Sequence, residues 1–127
     1  MYKRQAIVRD PRKAATRLAH LRLEIRSGDI RDSNAMRSAL SGAGALVHLA
    51  AIAIEKGDDS YEASNTDATG VVLSAARAAG VSRIVYMSQN GANSSSQYRF
   101  LRSKGLAEDM VTAVSYTHLT LPTIYSV

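Results

Sequence analysis

Short apolar segments of strand length alternate with helical stripes along most of the chain, and this alternation restricts the possible folds more than any other feature. Residues 45–47 form an apolar run just after a glycine, which is typical of a strand buried on both faces. Residues 83–87 form a second such run, and both segments end on polar residues. Between them the apolar residues of 68–79 recur at helical spacing, and Gly80 marks the end of that predicted helix.

The remaining segments continue the alternation. The predicted elements are a strand at residues 5–8, a helix from Pro11, a strand at 21–26, a helix from Asp32 or Ser33 to Leu40, and a last helix from about Leu101. Four strand–helix pairs predict a parallel sheet with right-handed crossovers, hence a doubly wound α/β fold. Such sheets bind ligands beyond the carboxyl ends of their strands, so residues 48–51 and 88–90 are the expected functional positions. The alternative for Ala50 and Ala51 is that they are ordinary helix or core alanines.

The composition indicates one globular domain. The chain has 127 residues, of which 46% are hydrophobic and 21% charged, and it has no cysteine, which excludes disulfides and thiolate metal sites. No apolar run approaches the ~20 residues of a membrane span, and the N-terminus does not have the form of a signal peptide. We therefore predict a cytoplasmic protein with no membrane span.

The net charge of +5 raises the question of a nucleic-acid partner. Lysines and arginines are scattered among acidic residues, and aromatic residues make up only 6% of the chain. The sequence thus has neither a basic stripe nor a set of stacking platforms, and a solvated basic surface explains the charge better than nucleic-acid binding.

Six landmarks occur in order along the chain. They are Val8-Arg9-Asp10-Pro11, Gly28-Asp29-Ile30-Arg31-Asp32, His48-Leu49-Ala50-Ala51, Asn65-Thr66-Asp67-Ala68-Thr69, Ser88, and Leu101-Arg102-Ser103-Lys104 followed by Ala107-Glu108. In this order and spacing they resemble the atypical or extended branch of the short-chain dehydrogenase/reductase family, above all its NmrA-like and complex-I-accessory-subunit-like NAD(P)-binding proteins. The resemblance covers roughly residues 6–114 and implies a Rossmann-type fold.

The two ends depart from the family pattern. The family's first strand, Gly-rich turn and first helix are missing, and residues 1–5 stand where that unit would already have finished. We expect residues 1–5 and about 115–127 to be non-native tails resembling translated sequencing-adapter sequence, leaving 6–114 as a partial domain. The alternative is a divergent natural tail that forms a strand. In the family's strand order the missing strand lies mid-sheet, so we expect a gap there, low stability, and weak or no NADP binding by the chain alone.

The resemblance assigns cofactor-binding roles. Arg9 stands where a relative binding NAD would carry an acidic residue, and a guanidinium there suits the 2′-phosphate of NADP, with NAD remaining possible. The alternative is a surface arginine paired with Asp10 or Asp32. The resemblance implies that Asp29 accepts from the adenine amino group, or alternatively acts as a turn residue, and that Ile30 lies against the ring. It also implies that the cofactor is lined by Leu49, Ala50 and Ala51.

The catalytic positions are incomplete. Reductases of this family use a Y-x-x-x-K pair in which the lysine holds the nicotinamide ribose and lowers the tyrosine pKa. Lys104 matches the lysine and Ser88 the orienting hydroxyl, so both are also expected to contact the cofactor, but Phe100 occupies the tyrosine position. Tyr98 lies two residues away and would point in a different direction on a helix.

Three further polar residues have structural alternatives. His48 at a strand end is more typical of a satisfied structural residue than of an acid or base. Asn65 and Thr69 lie one helical turn apart and either fix loops by hydrogen bonds or face solvent. No metal site is expected, since the histidines are far apart in sequence.

The sequence therefore favours an NAD(P)-binding protein without the usual Tyr–Lys hydride transfer, whose further partner is an unknown small-molecule substrate or a protein. The alternative is an active reductase or nucleotide-sugar epimerase or dehydratase acting on a small substrate. Nucleic-acid binding is the most distant alternative.

Overall fold

Five short strands alternate with α-helices in the computed structural model, which describes residues 4–118 and 123–126, with side chains as far as Val114. The elements are β1 (Gln5–Val8), α1 (Pro11–Arg17), β2 (Glu24–Ser27), α2 (Ser33–Leu40), β3 (Ala45–His48), a π-helical segment (Glu62–Asp67) running directly into α3 (Ala68–Ala78), β4 (Arg83–Gln89), α4 (Arg99–His118) and β5 (Thr123–Ser126). The predicted alternation of strands and helices is confirmed.

The strands form two separate parallel sheets. β1 pairs with β2, and β3, β4 and β5 form the second sheet in that order. Within the described residues, no strand pairs with the second edge of β1 or of β3. The interruption occurs where the family resemblance places its missing first strand. The chain therefore has an incomplete Rossmann-type doubly wound α/β fold.

Local sequence signals set the helix boundaries. Asp10 accepts hydrogen bonds from two backbone N–H groups in the first turn of α1, where Pro11 is the first residue. Asp32 caps α2 in the same way, through the N–H of Ala35. After α3 the chain turns at Gly80, whose φ of 71° lies in the left-handed region that favours glycine.

The prediction that residues 45–47 form a strand buried on both faces was wrong. Val47 is 58% exposed and Leu46 only half-buried, although β3 pairs with β4 as a parallel strand should. The cause is the interrupted sheet, because no described strand lies beside the second edge of β3. Apolar residues that a complete sheet would cover therefore remain in contact with water.

The second strand is shorter than predicted. The alternation of residues 21–26 suggested a strand from Leu21, but β2 begins at Glu24, opposite Gln5 of β1. Leu21 and Leu23 instead donate backbone hydrogen bonds within a turn that follows α1. In the described part of the chain β1 begins at Gln5, so the ladder starts at the pair of Gln5 and Glu24.

The segment predicted as a non-native tail carries regular backbone. α4 continues through residues 115–118, and β5 pairs in parallel with the last four residues of β4. A strand here agrees with the alternative that residues 115–127 are a divergent natural tail. That residues 1–5 and about 115–127 are non-native remains a prediction. None of the helices in the described ranges is long and apolar enough to cross a membrane.

The core lies between α2, α3, β4 and α4. Its most buried members include Met36, Val72, Ile84 and Val111, and the predicted stripe of α3 supplies several of the others. Gly105 of α4 marks the tightest contact, since a Cβ there would lie 2.3 Å from the backbone of the loop that follows β4. That loop is thereby packed directly against α4, where the predicted catalytic positions lie.

Candidate functional site

A cavity of about 580 Å³ opens at the carboxyl ends of β1 and β2 and beside the segment that follows β3. Its volume lies within the range of roughly 300–1,000 Å³ that is usual for small-molecule sites. The cavity is lined by five of the residues singled out from the sequence, namely Arg9, Asp29, Ile30, Ala50 and Ala51. The structure therefore brings together, from three separate segments, most of the residues predicted to bind the cofactor.

Arg9 faces the cavity directly after β1. Its Nη1 atom donates to both carboxylate oxygens of Asp59, at 2.9 and 3.0 Å, and its side chain remains 52% exposed. The alternative pairing with Asp10 or Asp32 was wrong, because those two carboxylates cap α1 and α2. The hydrogen bond from Arg9 is the main reason that the pKa of Asp59 lies below its usual value.

Asp29 forms a turn and an ion pair after β2, where it also lines the cavity. Its carboxylate accepts from the backbone N–H of Arg31 at 2.9 Å and from the Arg31 guanidinium at 2.8 to 3.2 Å. These bonds lower the pKa of Asp29. The turn role that was the alternative for Asp29 is therefore present, while its side chain still lines the cavity about one-third exposed. Ile30 is half-buried between the cavity and the core.

The segment after β3 contributes small side chains to the lining of the cavity. Ala50 and Ala51 line the cavity, but Leu49 is exposed and does not. Ile52 is held by Asn65, whose side chain accepts from its N–H at 2.8 Å and donates to its carbonyl at 3.0 Å. Asn65 is buried and also donates to Ser103 of α4, so the prediction that it fixes a loop is confirmed.

His48 is a satisfied interior residue, as predicted. Its side chain is only 4% exposed, and its Nε2 atom lies 2.9 Å from the Thr69 hydroxyl. That hydroxyl donates its single hydrogen to the Asn65 carbonyl, so we infer that the neutral His48 ring carries its proton on Nε2 and donates to Thr69. Burial, and secondarily the charge of Lys104, lowers the pKa of His48 to about 4.

Lys104 and Ser88 lie between β4 and α4 rather than at the cavity. The Lys104 side chain is 3% exposed, and its Nζ atom donates to the Met87 carbonyl at 2.9 Å and lies 4.7 Å from the centre of the Tyr86 ring. Burial lowers the pKa of Lys104. The Ser88 hydroxyl is also buried and donates to Glu108. Both polar groups are therefore engaged inside the protein.

The tyrosine position is aromatic but lacks a hydroxyl. Phe100 is half-buried, with its ring edge-on to Tyr61 at 5.8 Å between ring centres. Tyr98 is exposed at the start of α4. Neither residue lines the cavity.

Three features at or near the site were not predicted from the sequence. Asp59 and Arg31 belong to the ion network at the cavity, and Tyr86 carries the one buried side-chain polar atom without a hydrogen-bond partner in the part of the chain described. The Gly28–Asp32 landmark contained Arg31, but the role of Asp59 depends on a contact across 50 residues of sequence. The described residues contain no group of three or more His, Cys, Asp or Glu side chains that could hold a metal ion.

Comparison with known proteins identifies the family. A sequence profile of the family described as NAD(P)H-binding matches residues 2–119. An uncharacterized protein from Sinorhizobium fredii is 40% identical over 83 residues, covering 61% of this chain and 23% of that protein.

Solved structures show the same fold. The protein Pen from Bacillus thuringiensis superposes with a TM-score of 0.80 at 21% identity, covering 95% of this chain and 41% of Pen. A dTDP-glucose 4,6-dehydratase from Streptomyces venezuelae, solved with NAD and TYD bound, gives a TM-score of 0.75 at 23% identity, covering 97% of this chain and 45% of that enzyme. The chain spans less than half the length of each of these relatives.

Proposed function

Since the chain belongs to the NAD(P)H-binding family, we propose that the cavity at the ends of β1 and β2 takes the adenosine half of the dinucleotide and prefers NADP to NAD. In this arrangement the adenine ring lies against Ile30, its amino group donates to Asp29, and Arg9 receives the 2′-phosphate. We further propose that residues 6–114 form a partial NAD(P)-binding domain and that the protein is cytoplasmic.

The observation that carries the NADP preference is the position of Arg9. Its half-exposed guanidinium faces the cavity immediately after β1. A guanidinium donates charge-assisted hydrogen bonds to phosphate oxygens, whereas a ribose hydroxyl is better matched by a carboxylate. Two other basic side chains of α1, Lys13 and Arg17, line the same cavity and add to its attraction for an anion.

The proposal does not include hydride transfer by the usual Tyr–Lys pair. Phe100 has no proton to exchange with a substrate, and the Lys104 ammonium donates to a main-chain carbonyl between β4 and α4. The dinucleotide would supply redox chemistry when bound. We propose that this protein senses the dinucleotide or is stabilised by binding it. Its second partner would be a protein or a small molecule. Ser88, held by Glu108, has a structural role in this proposal.

The alternative function is an NAD(P)-dependent reductase or nucleotide-sugar epimerase or dehydratase. The retained Lys104 favours it, as does the likeness to a dTDP-glucose dehydratase solved with NAD. A Phe100→Tyr variant discriminates between the two functions. No gain in turnover is expected if the protein only binds the dinucleotide, whereas a gain of about tenfold or more would support a degenerate enzyme.

Binding of nucleotides to the chain tests the cofactor proposal. Adenosine 2′,5′-bisphosphate carries the 2′-phosphate of NADP, whereas ADP carries the same number of phosphates but none at the 2′ position. We expect calorimetric titration to show tighter binding of adenosine 2′,5′-bisphosphate, with a preference that Arg9→Gln reduces about tenfold. Arg22→Gln, an exposed arginine outside the cavity, is the matched control and should leave the preference unchanged. Equal affinities in the unmodified chain would contradict the proposal.

A further inference from the structure

The Asp59 carboxylate is a firmly held anion at the cavity. It accepts from Arg9 Nη1 with both oxygens and from the Ser64 hydroxyl at 2.8 Å, and Arg31 Nη1 lies 3.8 Å away. Its side chain is only 19% exposed although it belongs to a surface loop. Arg9 is thus already paired with an anion that the protein itself supplies.

The loop that carries Asp59 has a defined backbone. Lys56 and Asp59 exchange two main-chain hydrogen bonds, 3.0 and 3.2 Å long, around a turn that contains Gly57 in the left-handed region. Arg31 also donates to the Asp58 carbonyl at 3.3 Å, which ties this turn to the end of β2. Asp59 is therefore held against Arg9 from its own loop and from the neighbouring strand end.

We propose that Asp59 is a built-in competitor for the 2′-phosphate and sets the balance between NADP and NAD. This inference rests on the proposed function. A phosphate that approaches Arg9 must displace the carboxylate or share the guanidinium with it at a cost in charge repulsion. A ribose hydroxyl meets no such penalty and can donate to Asp59. The carboxylate therefore weakens the preference that Arg9 creates.

The test is removal of this one charge from the full chain. We expect Asp59→Asn, which has nearly the same shape, to bind adenosine 2′,5′-bisphosphate about fivefold more tightly, while ADP affinity changes less than about twofold. Asp58→Asn is the matched control, because it removes the same charge from the same turn at an exposed residue outside the cavity. It should change both affinities by less than about twofold if direct competition, rather than long-range charge, is responsible.

A second variant tests the role of Asp59 independently, in case Asp59→Asn does not fold. Ser64→Ala keeps the carboxylate but removes one of its hydrogen bonds, so it should strengthen adenosine 2′,5′-bisphosphate binding in the same direction by about twofold. Circular dichroism of each variant confirms that the helices are retained. Unchanged or weaker binding of the bisphosphate by both variants would overturn the role of Asp59.

The two proposals fail in different ways. If the chain prefers the bisphosphate and Arg9→Gln removes the preference, but Asp59→Asn changes nothing, only the competitor role is refuted. If no variant distinguishes the two nucleotides, or none binds either, both the NADP preference and the role of Asp59 are refuted. Binding of the bisphosphate by Asp59→Asn but not by the unmodified chain would support the competitor role of Asp59 and refute the NADP preference of the unmodified chain.

Discussion

Lowering the pH should destabilise the fold through His48. The ring is 4% exposed, and burial, assisted by the Lys104 charge, lowers its pKa from 6.5 to about 4. Its Nε2–H is committed to Thr69, so protonation would place a charge on Nδ1 inside the core. Protonation is therefore much less favourable in the folded chain than in the unfolded one.

The size and sign of the effect follow from proton linkage. In the unfolded chain His48 titrates near its ordinary pKa of about 6.5, so the unfolded state takes up a proton first as the pH falls. Because the folded pKa is depressed, the contribution is complete above about pH 6.5 and is lost as the pH falls toward about 4. The free energy of unfolding should drop by about 2 kcal/mol between about pH 7.5 and pH 5, and by about 3 kcal/mol in all.

Urea denaturation followed by circular dichroism measures this loss. With an m-value of about 1–2 kcal/mol/M, the midpoint should fall by about 1–2 M between about pH 7.5 and pH 5. His48→Gln should lose most of that pH dependence, while His20→Gln, at an exposed position, should keep it. The same pH dependence in His48→Gln and in the unmodified chain would refute the reasoning, because other groups would then account for it.

Two further predictions concern buried contacts and use the same urea assay. Gly105→Ala should destabilise the chain by about 2–3 kcal/mol, because the added Cβ would lie 2.3 Å from backbone atoms of the neighbouring loop. Gly70→Ala should instead stabilise α3 by up to about 1 kcal/mol, because the nearest atom to its added Cβ is Met110 Sδ at 3.7 Å. Stabilisation by both substitutions would contradict the packing of the loop against α4. Asn65→Ala should cost about 2–3 kcal/mol because it leaves both polar groups of the Ile52 backbone without their partner, and a loss below about 0.5 kcal/mol would show that they find another.

Features determined by local sequence were predicted well. Pro11 is the first residue of α1, Asp32 caps α2 by a bond from the residue three positions ahead, and Gly80 ends α3 through its own backbone conformation. The stripe of α3 is buried because its spacing matches the helical period. These features require no knowledge of distant parts of the chain.

Features that depend on distant neighbours were not predictable in the same way. Arg9 contacts Asp59 across 50 residues of sequence, whereas the sequence pattern indicated only the nearby Asp10 and Asp32 as partners. The exposure of Val47 follows from an interrupted sheet rather than from its apolar neighbours. The burial of Lys104 depends on α4 lying against β4, where Met87 offers its carbonyl as an acceptor.

The most direct test of the central claim is titration of NADPH and NADH, followed by fluorescence, into two proteins. One is this chain, and the other is its core with a Gly-rich strand–turn–helix unit from a relative joined before Ala6, which would fill the gap between β1 and β3. We predict binding by the second protein, with NADPH tighter than NADH, and clearly weaker binding by the chain alone, which lacks the unit that holds the pyrophosphate. Tight binding by the chain alone, or a preference for NADH after the graft, would contradict the account.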